Sequence, residues 1–138
     1  MSVTYKAVPK DSLAPLAGRR VLVIEDEYFI ADDIARALAS RGAEVVGPLA
    51  DLADAKEFLN QGKPIDAALL DINIRNEMIF PLARLLRSRD VPFAFTTGYD
   101  KASVAPEFQD VPLWEKPLDI PRVAHYLEEM LRQRQADK

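Results

Sequence analysis

The chain contains no cysteine and a single histidine, His125. The first absence removes disulfides, thiolate metal sites and thiol nucleophiles. The second leaves too little for a histidine-based zinc site or a Ser-His-Asp triad. Long apolar runs are missing as well: none approaches the roughly 20 residues that span a bilayer. The N-terminus has no charged-then-apolar secretion pattern, so the cytoplasm is the expected compartment. Nor is there a basic block that could track a phosphate backbone; Lys and Arg number 18 against 22 Asp and Glu, a net charge of −4. That balance disfavours nucleic acid as a partner. What is present is 138 residues, 49% hydrophobic and 29% charged, enough for one soluble domain with a real core and too few for two ordinary ones.

The stretch Pro64-Ile65-Asp66-Ala67-Ala68-Leu69-Leu70-Asp71-Ile72-Asn73 organises the rest. An apolar run of strand length ends abruptly on a carboxylate, and polar, loop-like residues follow. A continuous apolar run is the pattern of a parallel strand covered on both faces. In open α/β sheets, ligands and chemistry gather at the carboxyl ends of the strands. A second run, Val21-Leu22-Val23-Ile24-Glu25-Asp26-Glu27, ends the same way. Adjacent parallel strands with these endings would collect Glu25, Asp26 and Asp71 in one acidic pocket. Like charges so close repel one another, and a hard cation such as Mg²⁺ relieves the conflict because it takes oxygen ligands and keeps waters for the rest. Any one of these acids, taken singly, is as well explained as a solvated strand end.

Residues 1–18 carry Pro9, Pro15 and Gly18 with scattered charges and no sustained period. They read as an extension ahead of a domain over residues 19–134. After Asp26 the period becomes helical: Ile30, Ile34 and Leu38 share a face with Ala31 and Ala35, and Gly42 suits the left-handed position at the helix end. Glu44-Val45-Val46 predicts a short strand closed by Gly47-Pro48. Asp51 is an acceptable N-cap for a second helix with Leu52, Ala55, Phe58 and Leu59 inward, ending before Gly62. Past Asp71 a loop runs through Asn73, Arg75 and Asn76. Pro81 then suits the first turn of a third helix with Leu82, Leu85 and Leu86 on its apolar face. Pro92 to Thr97 is a fourth strand, ending in hydroxyls before Gly98-Tyr99. A short helix is expected from about Lys101 to Ala105, ended by Pro106. Pro112 to Lys116 is a fifth strand, ended by Pro117. The last helix begins at Asp119 and buries Ile120, Val123, Ala124, Leu127, Met130 and Leu131. The polar residues from Arg132 onward are expected to fray, with residues 135–138 as a tail. Strand and helix alternate five times, which implies a parallel sheet covered on both faces.

The carboxyl ends of the first, third, fourth and fifth strands thus present Glu25 and Asp26, Asp71, Thr97 and Lys116. This set meets the demands of phosphoryl transfer onto an aspartate. Asp71 is the candidate nucleophile. Mg²⁺ held by Asp26 and Asp71, with Glu25 acting partly through water and Asn73 offering its backbone carbonyl, would neutralise charge on the incoming group. Lys116 supplies a mobile point charge to a phosphate oxygen, and Thr97 a hydroxyl to another. Judged alone, Lys116 could pair with Glu115 or Asp119, and Thr97 could cap a turn. Their joint appearance at four strand ends favours the functional reading.

At this point the sequence resembles the receiver domain of two-component response regulators. The resemblance rests on Val21 to Glu27, Asp71, Thr97-Gly98 and Lys116-Pro117, in the family's order and approximate spacing, from about Arg20 to about Met130. It implies a flavodoxin-like, five-stranded parallel sheet in the order 2-1-3-4-5. It also implies reversible Mg²⁺-dependent phosphorylation on Asp71 by a histidine kinase or histidine phosphotransfer protein. By this likeness Glu25, Asp26, Asp71 and Asn73 match the metal site, and Thr97 and Lys116 match the pair that senses the phosphoryl group. One departure stands out: the family usually carries Tyr or Phe three residues before the lysine, where this chain has Leu113. Trp114, one residue on, should point to the other face. Phe95-Thr96-Thr97-Gly98-Tyr99 looks instead like the Phe-Ala-Thr-Gly-x-Tyr receivers of alphaproteobacteria, which makes Tyr99 a switch candidate.

The expected function is a stand-alone receiver that does not act as an enzyme on other molecules and whose output is contact with a protein partner. An aspartate-nucleophile phosphohydrolase is the alternative. Such enzymes usually place a second acid two residues past the nucleophile, where this chain has Asn73. A degenerate receiver that only scaffolds is a third reading.

Overall fold

Three nearly unbroken apolar runs can be buried only inside a sheet, and they form its centre. The computed structural model describes residues 13–98 and 104–136. In it the runs are β1 (Arg20–Ile24), β3 (Ala67–Asp71) and β6 (Phe93–Thr97), and β3 and β6 are buried along their whole length. With the edge strands β2 (Glu44–Leu49) and β7 (Leu113–Glu115) they make one parallel sheet in the order β2-β1-β3-β6-β7. Two short strands, β4 (Asn73–Ile74) and β5 (Glu77–Met78), pair antiparallel in a separate hairpin. Counting only the five strands of the parallel sheet, the order is the expected 2-1-3-4-5.

Alternation along each strand divides the core in two. Leu22, Ile24, Ala68, Leu70, Phe93 and Phe95 face α2 (Leu52–Asn60) and α3 (Phe80–Ser88). Val21, Val23, Ala67, Leu69 and Ala94 face α1 (Tyr28–Ser40) and α4 (Ile120–Ala136). On the first face Phe80, Phe93, Phe95 and Phe108 form an aromatic cluster, with neighbouring ring centroids 5.5–5.9 Å apart, and Phe58 packs against the same core. Leu113 packs on that face and Trp114 on the other, against Tyr126, as strand alternation requires. Asp51 caps α2 by accepting the Ala53 amide at 2.7 Å. Gly42, at φ 98, follows the end of α1.

Five local expectations change. β2 does not stop at Gly47-Pro48; it continues to Leu49 through an irregularity in its pairing with β1. It is an edge strand, where a proline leaves no ladder bond unmade on the open side, and Gly47 takes the positive φ of 96 that the bulge needs. The loop after Asp71 is a hairpin, with Arg75 and Asn76 at φ 51 and 68 forming its two-residue turn. Of the helix expected from Lys101 to Ala105, residues 101–103 lie outside the described residues. Pro106 opens a 3₁₀ turn, Pro106–Phe108, instead of ending a helix, because a proline at a first helical position loses no hydrogen bond. Residues from Arg132 onward remain helical to Ala136, and the Arg134 guanidinium donates to Asp90 O at 2.8 Å. Leu16, within the stretch read as an extension, is fully buried on the α1/α4 face, and its amide donates to Arg41 O at 2.7 Å.

Candidate functional site

The pairing of β1 with β3 sets Ile24 opposite Leu70, so the residues that follow, Glu25 and Asp71, leave the sheet side by side. Both are buried, 2% and 5% exposed, while Asp26 is half-buried. One carboxylate oxygen from each of Glu25, Asp26 and Asp71 lies within 4.8 Å of the others. The acidic pocket expected from the two strand endings is therefore present.

Lys116 reaches the pocket from the far edge. Thr97 pairs with Glu115, and the Lys116 amide donates to Thr97 O at 2.8 Å, which places the lysine just beyond the end of β7. Its ammonium donates to Asp71 Oδ2 at 2.8 Å and lies 2.9 Å from Glu25 Oε1 and 3.4 Å from Glu27 Oε1. Neither Glu115 nor Asp119 takes this role. Burial opposes the charge on Lys116, but the hydrogen bonds and charges of Asp71 and Glu25 outweigh it and hold the pKa above the usual lysine range. Burial also pushes Glu25 up to about 7, with the charge of Asp71 adding, while the Glu27 amide and Lys116 pull the other way.

Backbone amides hold one oxygen of each of the three acids. Asn73 donates to Asp71 Oδ1 at 3.1 Å, Glu27 to Glu25 Oε2 at 3.0 Å, and Arg75 to Asp26 Oδ2 at 3.0 Å. A cleft of about 250 Å³ opens over the group, lined by Asp26, Glu27, Asp71, Asn73, Arg75, Asn76, Thr97, Gly98 and Lys116. Thr97 is buried in its wall, 6% exposed. Of the expected site residues, the fold brings together Glu25, Asp26, Asp71, Asn73, Thr97 and Lys116; Tyr99 lies outside the described residues. Glu27 and Arg75 were not expected at the site. Glu27 directly follows the two acids and could have been suspected, whereas Arg75 reaches the cleft through a hairpin that no periodicity announces.

A larger hollow, about 780 Å³, lies at the opposite end of the sheet and is lined by Arg19, Asp66, Arg89, Asp90 and Arg134 among others. Two of its arginines are paired within it, Arg19 with Asp66 at 3.9 Å and Arg134 with Asp90 at 3.2 Å. The smaller cleft holds the clustered acids and the buried lysine, and its volume suits a phosphoryl group with a cation. A set of hard oxygen donors crowded around a buried carboxyl whose pKa is raised fits a divalent cation such as Mg²⁺.

No protein-family model matches the chain. The transcriptional regulatory protein PdtaR of Mycobacterium tuberculosis is 30% identical over 93 residues, 67% of this chain and 45% of that protein. The chain thus spans about half the length of the curated relatives it matches. SdrG from Sphingomonas melonis Fr1 is 34% identical with a TM-score of 0.66, covering 83% of this chain and 96% of that one. The BeF₃-activated conformation of SdrG, from Pseudomonas melonis Fr1, is 36% identical with a TM-score of 0.67, covering 83% and 98%. The receiver domain of the hybrid histidine kinase CckA is 27% identical with a TM-score of 0.67, covering 81% and 98%.

Proposed function

The chain belongs to the receiver-domain family of two-component response regulators, and from that premise we propose that Asp71 accepts a phosphoryl group from a histidine kinase or histidine phosphotransfer protein. The observation that carries this reading is the Asp71 carboxylate at a strand end, held between the Lys116 ammonium at 2.8 Å and the Asn73 amide at 3.1 Å. In the transfer, a carboxylate oxygen of Asp71 forms a P–O bond while the bond from phosphorus to the donor nitrogen breaks. The electron pair leaves with that nitrogen. Lys116 meets the charge on the phosphoryl oxygens, and Thr97, in the cleft wall, offers its hydroxyl to one of them.

Glu25, Asp26, Asp71 and the carbonyl of Asn73 would hold Mg²⁺. Bound there, the cation supplies positive charge against the phosphoryl oxygens. The protein accepts and releases its own phosphoryl group and turns over no separate substrate; its output is contact with a protein partner, in the cytoplasm. Asn73 supports this over a phosphohydrolase, since it stands where such an enzyme usually carries its second acid. The complete set of acids, Thr97 and Lys116 argues against a scaffold without chemistry.

The test is direct. With Mg²⁺ and a small-molecule phosphodonor, the protein gains one base-labile acyl phosphate and Asp71→Asn gains none. Equal labelling of the two proteins would sink the reading.

A further inference from the structure

Arg75 occupies a position that its sequence context does not explain. It forms, with Asn76, the turn of the β4–β5 hairpin at φ 51, a left-handed conformation that few side chains adopt without penalty. Its amide is fixed on Asp26 Oδ2 at 3.0 Å, so the residue is anchored to the acidic cluster, and it lines the same cleft as Asp71 and Lys116.

Charge decides what that placement is for. Among the described residues of the cleft wall, the cations are Lys116 and Arg75, against Asp26, Glu27 and Asp71. Lys116 is already engaged by Asp71, Glu25 and Glu27. A phosphoryl group brings further negative charge into this acidic setting. The Arg75 side chain is 64% exposed, and its ion pair is a 3.9 Å contact with Asp51 Oδ2, a separation at which an exposed pair contributes little. A guanidinium presents a planar fork of donors that matches phosphate oxygens better than an ammonium does. Asp51 meanwhile uses its other oxygen, Oδ1, to cap α2, so it can lose Arg75 without losing the cap.

Resting on the phosphoryl-acceptor reading of Asp71, we propose that Arg75 is a second cationic contact for the phosphoryl group, held near Asp51 in the free protein and exchanged onto a phosphoryl oxygen when the cleft fills. The contact is to the anion and not to the metal.

Beryllofluoride affinity at saturating Mg²⁺, set beside the affinity for Mg²⁺ alone, tests this. Arg75→Ala should weaken beryllofluoride binding by about fivefold to tenfold, as expected for one charge-assisted contact, and leave Mg²⁺ affinity within about twofold. Arg75→Gly, which suits the positive φ, separates charge from turn geometry: it should lose as much as Arg75→Ala. Wild-type affinity in Arg75→Gly would assign the loss to the turn and overturn the proposal, as would unchanged binding by Arg75→Ala. Asp51→Asn, which keeps an oxygen for the cap, should tighten beryllofluoride about twofold; no tightening overturns the exchange. If the wild-type protein itself takes neither beryllofluoride nor a phosphoryl group, the reading of Asp71 falls and this inference with it.

Discussion

Glu25 is the group whose state the fold alters most visibly. Its carboxyl is lifted from 4.5 to about 7, chiefly by burial, with Asp71 adding and the Glu27 amide and Lys116 opposing. A folded-state pKa above the unfolded value means that the native protein holds a proton more tightly. The stability this contributes is fully present below about pH 4.5 and is lost as pH rises through about 7. In the presence of a chelator, urea midpoints should therefore fall across that window, and Glu25→Gln should flatten the fall; an equally steep curve in the variant would remove Glu25 as its cause. Lys116 is the counterpart. Its side chain is 10% exposed and faces Asp71 and Glu25, so Lys116→Ala leaves buried negative charge without its partner and should destabilise the metal-free protein by up to about 3 kcal/mol. Added Mg²⁺ should then restore more stability to the variant than it adds to the wild type, because it enters a site with greater uncompensated charge; equal gains would count against that view. These acids were legible in the sequence because each closes an apolar run, and the end of a parallel strand is an address. Glu27 and Arg75 carry no such mark: a charged residue in a loop reads as solvated until the hairpin that positions it is seen.

Among the elements, β2 shows where the pattern runs out. Gly47-Pro48 reads as a strand end because both residues punctuate, yet the strand passes through them as a bulged edge. A Cβ at Gly47 would come within 2.6 Å of the Leu49 amide nitrogen and 2.9 Å of the Val23 carbonyl, at a φ of 96. Gly62 also has a positive φ, 72, but nothing lies within 4 Å of its missing Cβ. Gly62→Ala should thus cost about 1 kcal/mol from backbone conformation alone. Gly47→Ala should cost clearly more, since β1 and β2 must also separate; similar denaturation midpoints for the two variants would contradict this. The apolar stripes of α1, α2, α3 and α4 were legible because their period is sustained over two turns or more. The β4–β5 hairpin and the 3₁₀ turn at Pro106–Phe108 were not, being two or three residues long and fixed by distant partners. Phe108 is one such anchor: it is fully buried, stacks with Phe80 and lies under the Arg87 guanidinium at 4.9 Å. Phe108→Ala should cost about 3–5 kcal/mol, a loss that no reading of Pro106 as a helix breaker anticipates.

Across the molecule, the proposed phosphorylation site and its switch residues are joined by the edge of the sheet. Asp71 ends β3, Thr97 ends β6, and Lys116 follows β7; Asp71 pairs with Thr96, and Thr97 pairs with Glu115. A group that draws Thr97 and Lys116 toward Asp71 therefore acts on both ends of the segment between β6 and β7. The Lys116 amide to Thr97 carbonyl bond of 2.8 Å keeps those ends moving together. The far part of that segment is held differently. Phe108 is buried in the α2/α3 face, and Arg84 and Arg87 on α3 bond Glu107 and Asp110 across an exposed surface, where ion pairs are weak. Leu113, in place of the family's usual aromatic residue, has no ring to rotate in or out of the surface. We propose that the two-state element such a switch needs includes the described part of that segment, Val104 to Val111, with Thr97 as its lever. We predict that beryllofluoride changes amide exchange at Thr97-Gly98 and from Val104 to Val111, as well as around Asp71, while the buried centres of β1 and β3 keep their protection. Thr97→Ala should still accept a phosphoryl group on Asp71 but lose the change at residues 104–111. Exchange differences confined to the residues around Asp71 in the wild-type protein would refute this route and leave the output to the site's own rim.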